Sequence, residues 1–334
     1  MSIAIGPVRT RNRVFLAPMS GVTDEPFRFA AAESHAGLVV TEMVASRELI
    51  RARKDMVRRA ARPKATGPFV IQLAGNEARW MREGAKVATD LGADVIDINM
   101  GCPAREVAGK LSGSALMRDL DHAETLIAAT VEGSSVPVTL KMRLGWDERS
   151  LNAPELARRA QGAGVAMVTV HGRTRCQFYK GRADWPAIRR VREAVTIPLI
   201  ANGDIATIAD VRCVLEHSGA DGVMIGRGAY GAPWMPGVLA EALDPGSGRA
   251  LPDMDEQLAI AAAHVESMLS FYGTALGLRI ARKHMRWYLD RRGRFADETR
   301  AGALRTMLTT DDPGQAMALF RMLFASTGEE RLAA

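Results

Sequence analysis

Cysteine is scarce in this chain: three residues in 334, Cys102, Cys176 and Cys213, and none has the close cysteine or histidine spacing of a zinc site or a disulfide framework. A single thiol with a chemical role is the option left. No apolar run reaches the roughly 18 residues a membrane span needs, and the first residues lack the core of a signal peptide. A cytoplasmic protein with no membrane partner is the expectation. Repeats and low-complexity segments are absent too. Disorder is excluded by what remains, 47% hydrophobic and 25% charged residues, an ordinary globular balance. The net charge of +6 with a pI near 9.5 favours a polyanionic partner without proving one.

Eight short apolar runs recur along the first two thirds of the chain: Val14–Ala17, Leu38–Val40, Phe69–Ile71, Val95–Ile98, Val138–Leu140, Met167–Val170, Pro198–Ala201 and Gly222–Ile225. Between them lie stretches rich in Ala, Arg, Glu and Leu, such as 76–91 and 154–163, each followed by a glycine suited to a helix end. Eight β-α units in about 230 residues match a closed (β/α)8 TIM barrel better than an open doubly wound sheet. After Trp234 the strand signals stop, and Asp244-Pro245-Gly246-Ser247-Gly248 reads as a linker. The expected division is a barrel over residues 1–245 and an all-helical domain over 251–334, with helices at 255–272 and 276–291 and two shorter ones beyond.

In a barrel of this kind chemistry sits where strands run into loops. Those positions are polar here: Pro18-Met19-Ser20, Thr41-Glu42, Gln72-Leu73-Ala74-Gly75, Asn99-Met100-Gly101-Cys102-Pro103, Lys141-Met142-Arg143, His171-Gly172-Arg173, Asn202-Gly203-Asp204 and Gly226-Arg227-Gly228. Glycines after the seventh and eighth strands suit either tight turns or a phosphate held on backbone N–H groups, with Arg227 as an added donor. Lys141 ends a strand that otherwise reads as core, so its charge needs an anion or an electron-rich partner. A reduced isoalloxazine is negative near N1 and O2, and Gln72 has the donor and acceptor for the N3–O4 edge; together the two residues suggest flavin. Cys102 reads either as a small buried hydrophobe or as a proton donor on the rim, beside a candidate lid at 109–114. His171 reads equally as a hydrogen-bonded barrel residue or a cofactor contact. Asp97 and Asp204 are acids without an accompanying metal cluster, so hydrolysis is disfavoured and no metal is expected.

Taken in order, these motifs, with Ala17-Pro18-Met19-Ser20-Gly21-Val22-Thr23-Asp24 at their head, resemble the tRNA-dihydrouridine synthases, most closely the bacterial B-type subfamily. The resemblance implies FMN held by Pro18, Met19, Ser20, Gln72, Lys141, His171, Asn202, Gly203, Asp204, Gly226 and Arg227. It implies NADPH as reductant, hydride from reduced flavin to C6 of a uridine in tRNA, a proton from Cys102 to C5, and Asn99 holding a base that has left its stack. Two departures stand out: Ser20 replaces a common Ala, and Arg105-Glu106 replaces a more frequent Lys-Lys pair, which bears on lid and phosphate contacts.

RNA binding has some support of its own. Arg279, Arg282, Lys283 and Arg286 fall on one helical face. Residues 251–334 as a whole, this stripe included, carry eleven basic and eleven acidic side chains, so that stripe is local, and it reads either as a phosphate-binding face or as a solvated one. A second basic stretch, Arg47, Arg51, Arg53, Lys54, Arg58, Arg59, Arg62 and Lys64, follows the second strand. Two rival readings remain: a flavoenzyme for a free pyrimidine, in the style of the dihydroorotate dehydrogenases, and a non-catalytic RNA-binding barrel. A monomer is expected.

Overall fold

The computed structural model describes residues 1–62, 67–104, 111–293 and 298–326. Lys64, Arg105, Glu106, Gly109 and Lys110 lie outside them. Strands β1 (Ala4–Ile5) and β2 (Val8–Arg9) form an antiparallel hairpin. The other strands are β3 (Val14–Leu16), β4 (Val39–Val40), β5 (Val44–Ala45), β6 (Phe69–Ala74), β7 (Val95–Met100), β8 (Val138–Arg143), β9 (Met167–His171), β10 (Leu199–Asn202) and β11 (Gly222–Ile225). All are parallel, and β11 pairs with β3 while β4 pairs with β6, which closes the sheet into a barrel. Each of the eight apolar runs is one barrel strand. The second position is broken: β4 and β5 both lie along β6, one after the other, and the gap at Thr41 is bridged by its N–H to Val70 and by its Oγ1, which accepts the Gln72 N–H.

Helices α1 (Glu25–Glu33), α2 (Ser46–Ile50), α3 (Lys54–Arg59), α4 (Ala78–Asp90), α5 (Leu120–Glu132), α6 (Ala153–Gly162), α7 (Trp185–Ala194), α8 (Ile208–Ser218) and α9 (Met235–Leu243) surround the barrel. Their starts obey local chemistry. Asp24 accepts the Phe27 N–H at 3.1 Å ahead of Pro26, and Thr207 with Asp210 forms a reciprocal capping box.

Strand residues alternate between two cores. Val14, Leu16, Ile71, Leu73, Ile96 and Ile98 point outward into the layer beneath the helices. Phe15, Val40, Val70, Val95, Met167, Ile200 and Met224 point inward, where Ile3 and Ile5 of the hairpin close the floor. That hairpin has no clear signal in the sequence, because two-residue strands are too short to show a period. Further up the same inward face, the apolar side chains give way to Gln72, Asp97, Asn99, Thr139, Lys141, Thr169, His171 and Asn202, nearly all buried. The barrel is therefore packed at its base and polar at its mouth.

Four helices follow: α10 (Met254–Tyr272), α11 (Thr274–Arg291), α12 (Glu298–Thr309) and α13 (Pro313–Ala325). No strand occurs after β11 among the described residues, and no helix of theirs is long and apolar enough to cross a membrane. These helices share one apolar core with the barrel's outer layer. Tyr230 and Trp287 stack at 4.2 Å, the Tyr272 hydroxyl donates to Asp24 at 3.1 Å, and Gly231, at φ +64°, sits where a Cβ would come 2.3 Å from the Trp287 carbonyl oxygen. Within this seam His264 and His284 are buried ring to ring at 5.0 Å against Phe27, and neither ring nitrogen of His284 has a hydrogen-bond partner. Burial pushes His264 down to about 3, and burial, with His264 and Lys283 adding to it, holds His284 well below the ordinary imidazole range.

Both imidazoles are thus neutral when folded and protonate first in the unfolded chain. Their contribution is complete above about pH 6.5 and is lost as the pH falls below it, by up to about 1.4 kcal/mol per pH unit for each group. Urea titrations of His284→Leu against the parent protein should show the variant gaining relative stability by about that slope on acidification; a pH-independent difference would refute the assignment.

Candidate active site

A directed chain of hydrogen bonds organises the mouth. Asp97 sits on the floor of the polar layer and accepts from Thr139 Oγ1 at 2.6 Å and Gln72 Nε2 at 2.7 Å. With its amide N–H spent downward, Gln72 turns Oε1 to the Asn99 amide at 2.7 Å. Asn99 in turn offers Oδ1 to the N–H groups of Gly101, at 3.2 Å, and Cys102, at 3.0 Å. One buried acid therefore fixes the orientation of two amides and the shape of the turn that carries the thiol. Gln72 retains one N–H and one lone pair, and Asn99 one N–H, for anything bound above. Burial drives Asp97 above the usual carboxylate range, with its Thr139 and Gln72 hydrogen bonds working the other way.

Cys102 is half-buried, and its carbonyl is gripped by the N–H and, at 2.8 Å, by the hydroxyl of Ser114. Ser112 holds the Gly75 carbonyl at 3.0 Å, so the far end of the candidate lid is anchored to the rim.

Cations gather across the mouth. Lys141 Nζ donates to Asn202 Oδ1 at 3.2 Å, and Asn202 donates on to the Met224 carbonyl at 2.7 Å. Burial and the neighbouring Arg143 push Lys141 down to about 8, against the pull of Asp97 and Cys102. Arg143 is buried and spends its hydrogen bonds on the carbonyls of Gly101, Thr174 and Phe178. Burial, then Lys141, Arg143, Arg173 and Arg227, hold His171 well below the ordinary imidazole range. The nearby carboxylate is Asp204, left-handed at φ +52°, which pairs with Arg173 and, at 3.1 Å, with Arg227. Burial opposes its charge, but Arg173, the Ala183 N–H and Arg227 keep Asp204 below the usual carboxylate range.

The glycine turns leave backbone open. Gly203, at φ +118°, has His171 Cδ2 at 2.8 Å from where a Cβ would be, so the imidazole lies against bare backbone. At Gly226 a Cβ would meet nothing nearer than Met19 Sδ at 3.7 Å. Pro18, Met19 and the exposed Ser20 form the facing edge, in a loop pinned from both sides: Gly21 donates to the buried Glu42 and accepts from Lys283.

The sequence-derived residues after β3, β6, β7, β8, β9, β10 and β11 thus converge on one cavity mouth. The basic helix face does not act as a unit. Only Lys283 reaches the mouth; Arg282 is tied to the Thr310 carbonyl at 2.7 Å and Asp311 at 3.0 Å, Arg286 pairs with Asp290 at 2.7 Å, and Arg279 is exposed. Helical spacing shows which side chains share a face but not which neighbouring carbonyls they meet. Thr139 is the contributor that reading the strand ends passes over, and Asp97 and Glu42 stand out there only as acids without the hydrogen-bond roles they have here, although the period-2 pattern puts Asp97 and Asn99 on one side of β7. Among the described residues no group of three or more His, Cys, Asp or Glu side chains could hold a metal.

A model of the dihydrouridine synthases matches residues 15–312, from the first barrel strand to the last helices. The chain belongs to this family. Similar proteins include a probable tRNA-dihydrouridine synthase of Rhizobium leguminosarum bv. phaseoli, 56% identical across 97% of this chain and 99% of that protein. Another is the tRNA-dihydrouridine synthase B of Pseudomonas putida, 43% identical across 87% and 86%. Among solved structures, morphinone reductase matches at TM-score 0.50 and 14% identity over 77% of this chain and 91% of that one, a likeness of fold.

Asp97→Asn keeps the size but offers one acceptor where two donors converge. A loss of about 1–3 kcal/mol is expected from the orphaned donor, together with faster amide hydrogen exchange at Cys102; unchanged exchange there would show that the chain of hydrogen bonds does not hold the turn.

Proposed function

We propose that this protein reduces the C5–C6 double bond of specific uridines in tRNA, with FMN in the barrel mouth, NADPH as reductant and Cys102 as the proton donor. The observation that carries the reading is the excess of cations over carboxylates among Lys141, Arg143, Arg173 and Arg227, set around the neutral His171 and beside open glycine backbone. A buried ammonium without an equal anion is costly, and a phosphate with an electron-rich ring supplies what is missing.

The residues fit that group. Gly203 and Gly226 with Arg227 would take its phosphate on backbone N–H groups and one guanidinium. Asp204 would act by holding Arg173 and Arg227 in place, since its carboxylate is committed to them. Lys141 would stand by the N1–O2 side, His171 and Asn202 beside it, and the remaining N–H and lone pair of Gln72 at the pyrimidine edge. Pro18, Met19 and Ser20 would form the opposite wall. When bound, the flavin supplies a hydride for C6 of the uracil.

The chain's own part is to hold the base and move the proton. Asn99 would offer its spare N–H to a uracil carbonyl, and the Cys102 thiol would protonate C5, the thiolate then regaining a proton from solvent. Lys141 and Arg143 favour that thiolate electrostatically while it lasts. Residues 1–245 would be the catalytic unit and 251–334 the unit that steadies the RNA, in part through Arg279, Lys283 and Arg286, with Arg282 supporting the turn that joins α12 to α13. One chain would act alone.

Cys102→Ala should give yellow protein with undiminished flavin and a rate of dihydrouridine formation lower by about 10²–10⁴-fold, read by mass spectrometry of tRNA nucleosides. Colourless wild-type protein, or turnover of free uracil or orotate with no action on tRNA, would overturn the proposal.

A further inference from the structure

Where surface arginines of this protein pair, several end on carboxylates: Arg51 on Glu48, Arg82 on Glu132, Arg158 on Glu155, Arg192 on Asp221. Along one arc of the barrel rim they end on aromatic rings instead. Trp80, in the first turn of α4 after β6, has Arg79 at 4.8 Å and Arg47, from α2 after β5, at 5.7 Å from its ring centre. Trp146, after β8, has Arg118, from the loop after β7, at 4.9 Å and Arg175, from the loop after β9, at 4.7 Å. None of these four arginines has a carboxylate partner among the described residues, and Arg47, Arg79 and Arg118 are exposed.

The location matters. All four follow the C-terminal ends of β5, β6, β7 and β9, so they stand on the side where the active site opens. The α10–α11 helices touch the opposite side, through Gly21 and Asp24 after β3 and through Gly228 and Tyr230 after β11. In the barrel order, β7 and β8 lie across the mouth from β3 and β11.

A guanidinium over an indole keeps its full charge, held beside the ring and unneutralised. This arrangement suits phosphates in fixed positions, and a carboxylate partner would cancel it. We propose that the arc built on Trp80 and Trp146 is a second RNA-binding surface. It grips tRNA phosphates on the rim facing the helical region, so the polynucleotide spans the mouth and the target base descends between two holds. The proposal rests on the tRNA reading above and adds a surface to it.

The test is tRNA binding by the flavin-loaded protein over a series of salt concentrations, for wild type, for the triple variant Arg79→Gln, Arg118→Gln, Arg175→Gln, and for Arg158→Gln on the outer face of α6. The triple variant should retain its flavin and bind tRNA roughly tenfold more weakly. Its plot of log K against log salt should be shallower by about 0.7–0.9 for each arginine removed, whereas Arg158→Gln should match wild type. Wild-type affinity and slope in the triple variant, or weaker binding with an unchanged slope, would overturn the second surface and leave the tRNA reading standing. Wild-type protein that neither binds tRNA nor forms dihydrouridine would overturn both.

Discussion

Positive charge without matching negative charge, held inside the mouth of a parallel barrel, is the constraint on which the rest of this structure depends. Lys141, Arg143 and Arg173 are supported by carbonyls, an amide and the single carboxylate of Asp204, which satisfy their hydrogen bonds without neutralising the group. Such an arrangement persists because the strands around it are locked by a closed sheet and by two apolar cores. It also biases the titratable groups at the mouth in one direction: with burial it keeps His171 neutral, it keeps Asp204 charged, and Lys141 and Arg143 favour a thiolate at Cys102. A site with that bias is suited to hosting an anionic cofactor and to a thiol that must release a proton and survive briefly as an anion.

Below this layer the logic reverses. Asp97 is the acid at the base of the polar layer, and its two oxygens decide which way Gln72 and then Asn99 face. The direction passes upward to the backbone of Gly101 and Cys102. A neutral side chain of the same shape could fill the space, but a carboxylate is an acceptor at both ends, and that asymmetry orders the chain above it. The apolar floor beneath, closed by Ile3 and Ile5, keeps competing water away from the network.

The helical region is joined to the barrel closely enough to share its core, and its contacts fall on the loops that edge the active site. Lys283 on the Gly21 carbonyl and Tyr272 on Asp24 tie the loop carrying Pro18, Met19 and Ser20 to α10 and α11. Those helices therefore hold the same loop that edges the barrel mouth. The arginine-on-tryptophan arc stands at the other side of the same opening.

The eight strands, their parallel order, the switch to helices after Trp234 and the polar strand ends were all legible in the sequence, because period and glycine placement are local properties of the chain. So was the list of mouth residues, since in a barrel one end of every strand faces the same cavity. The hairpin plug, the break between β4 and β5, and the fate of Arg282 and Arg286 were not, because each depends on what lies nearby in space after closure. The same holds for Trp80 and Trp146. Arg47 stands 33 positions from Trp80 in the chain, and Arg118 and Arg175 stand 28 and 29 from Trp146, and only the closed barrel brings each of these guanidinium groups over its indole.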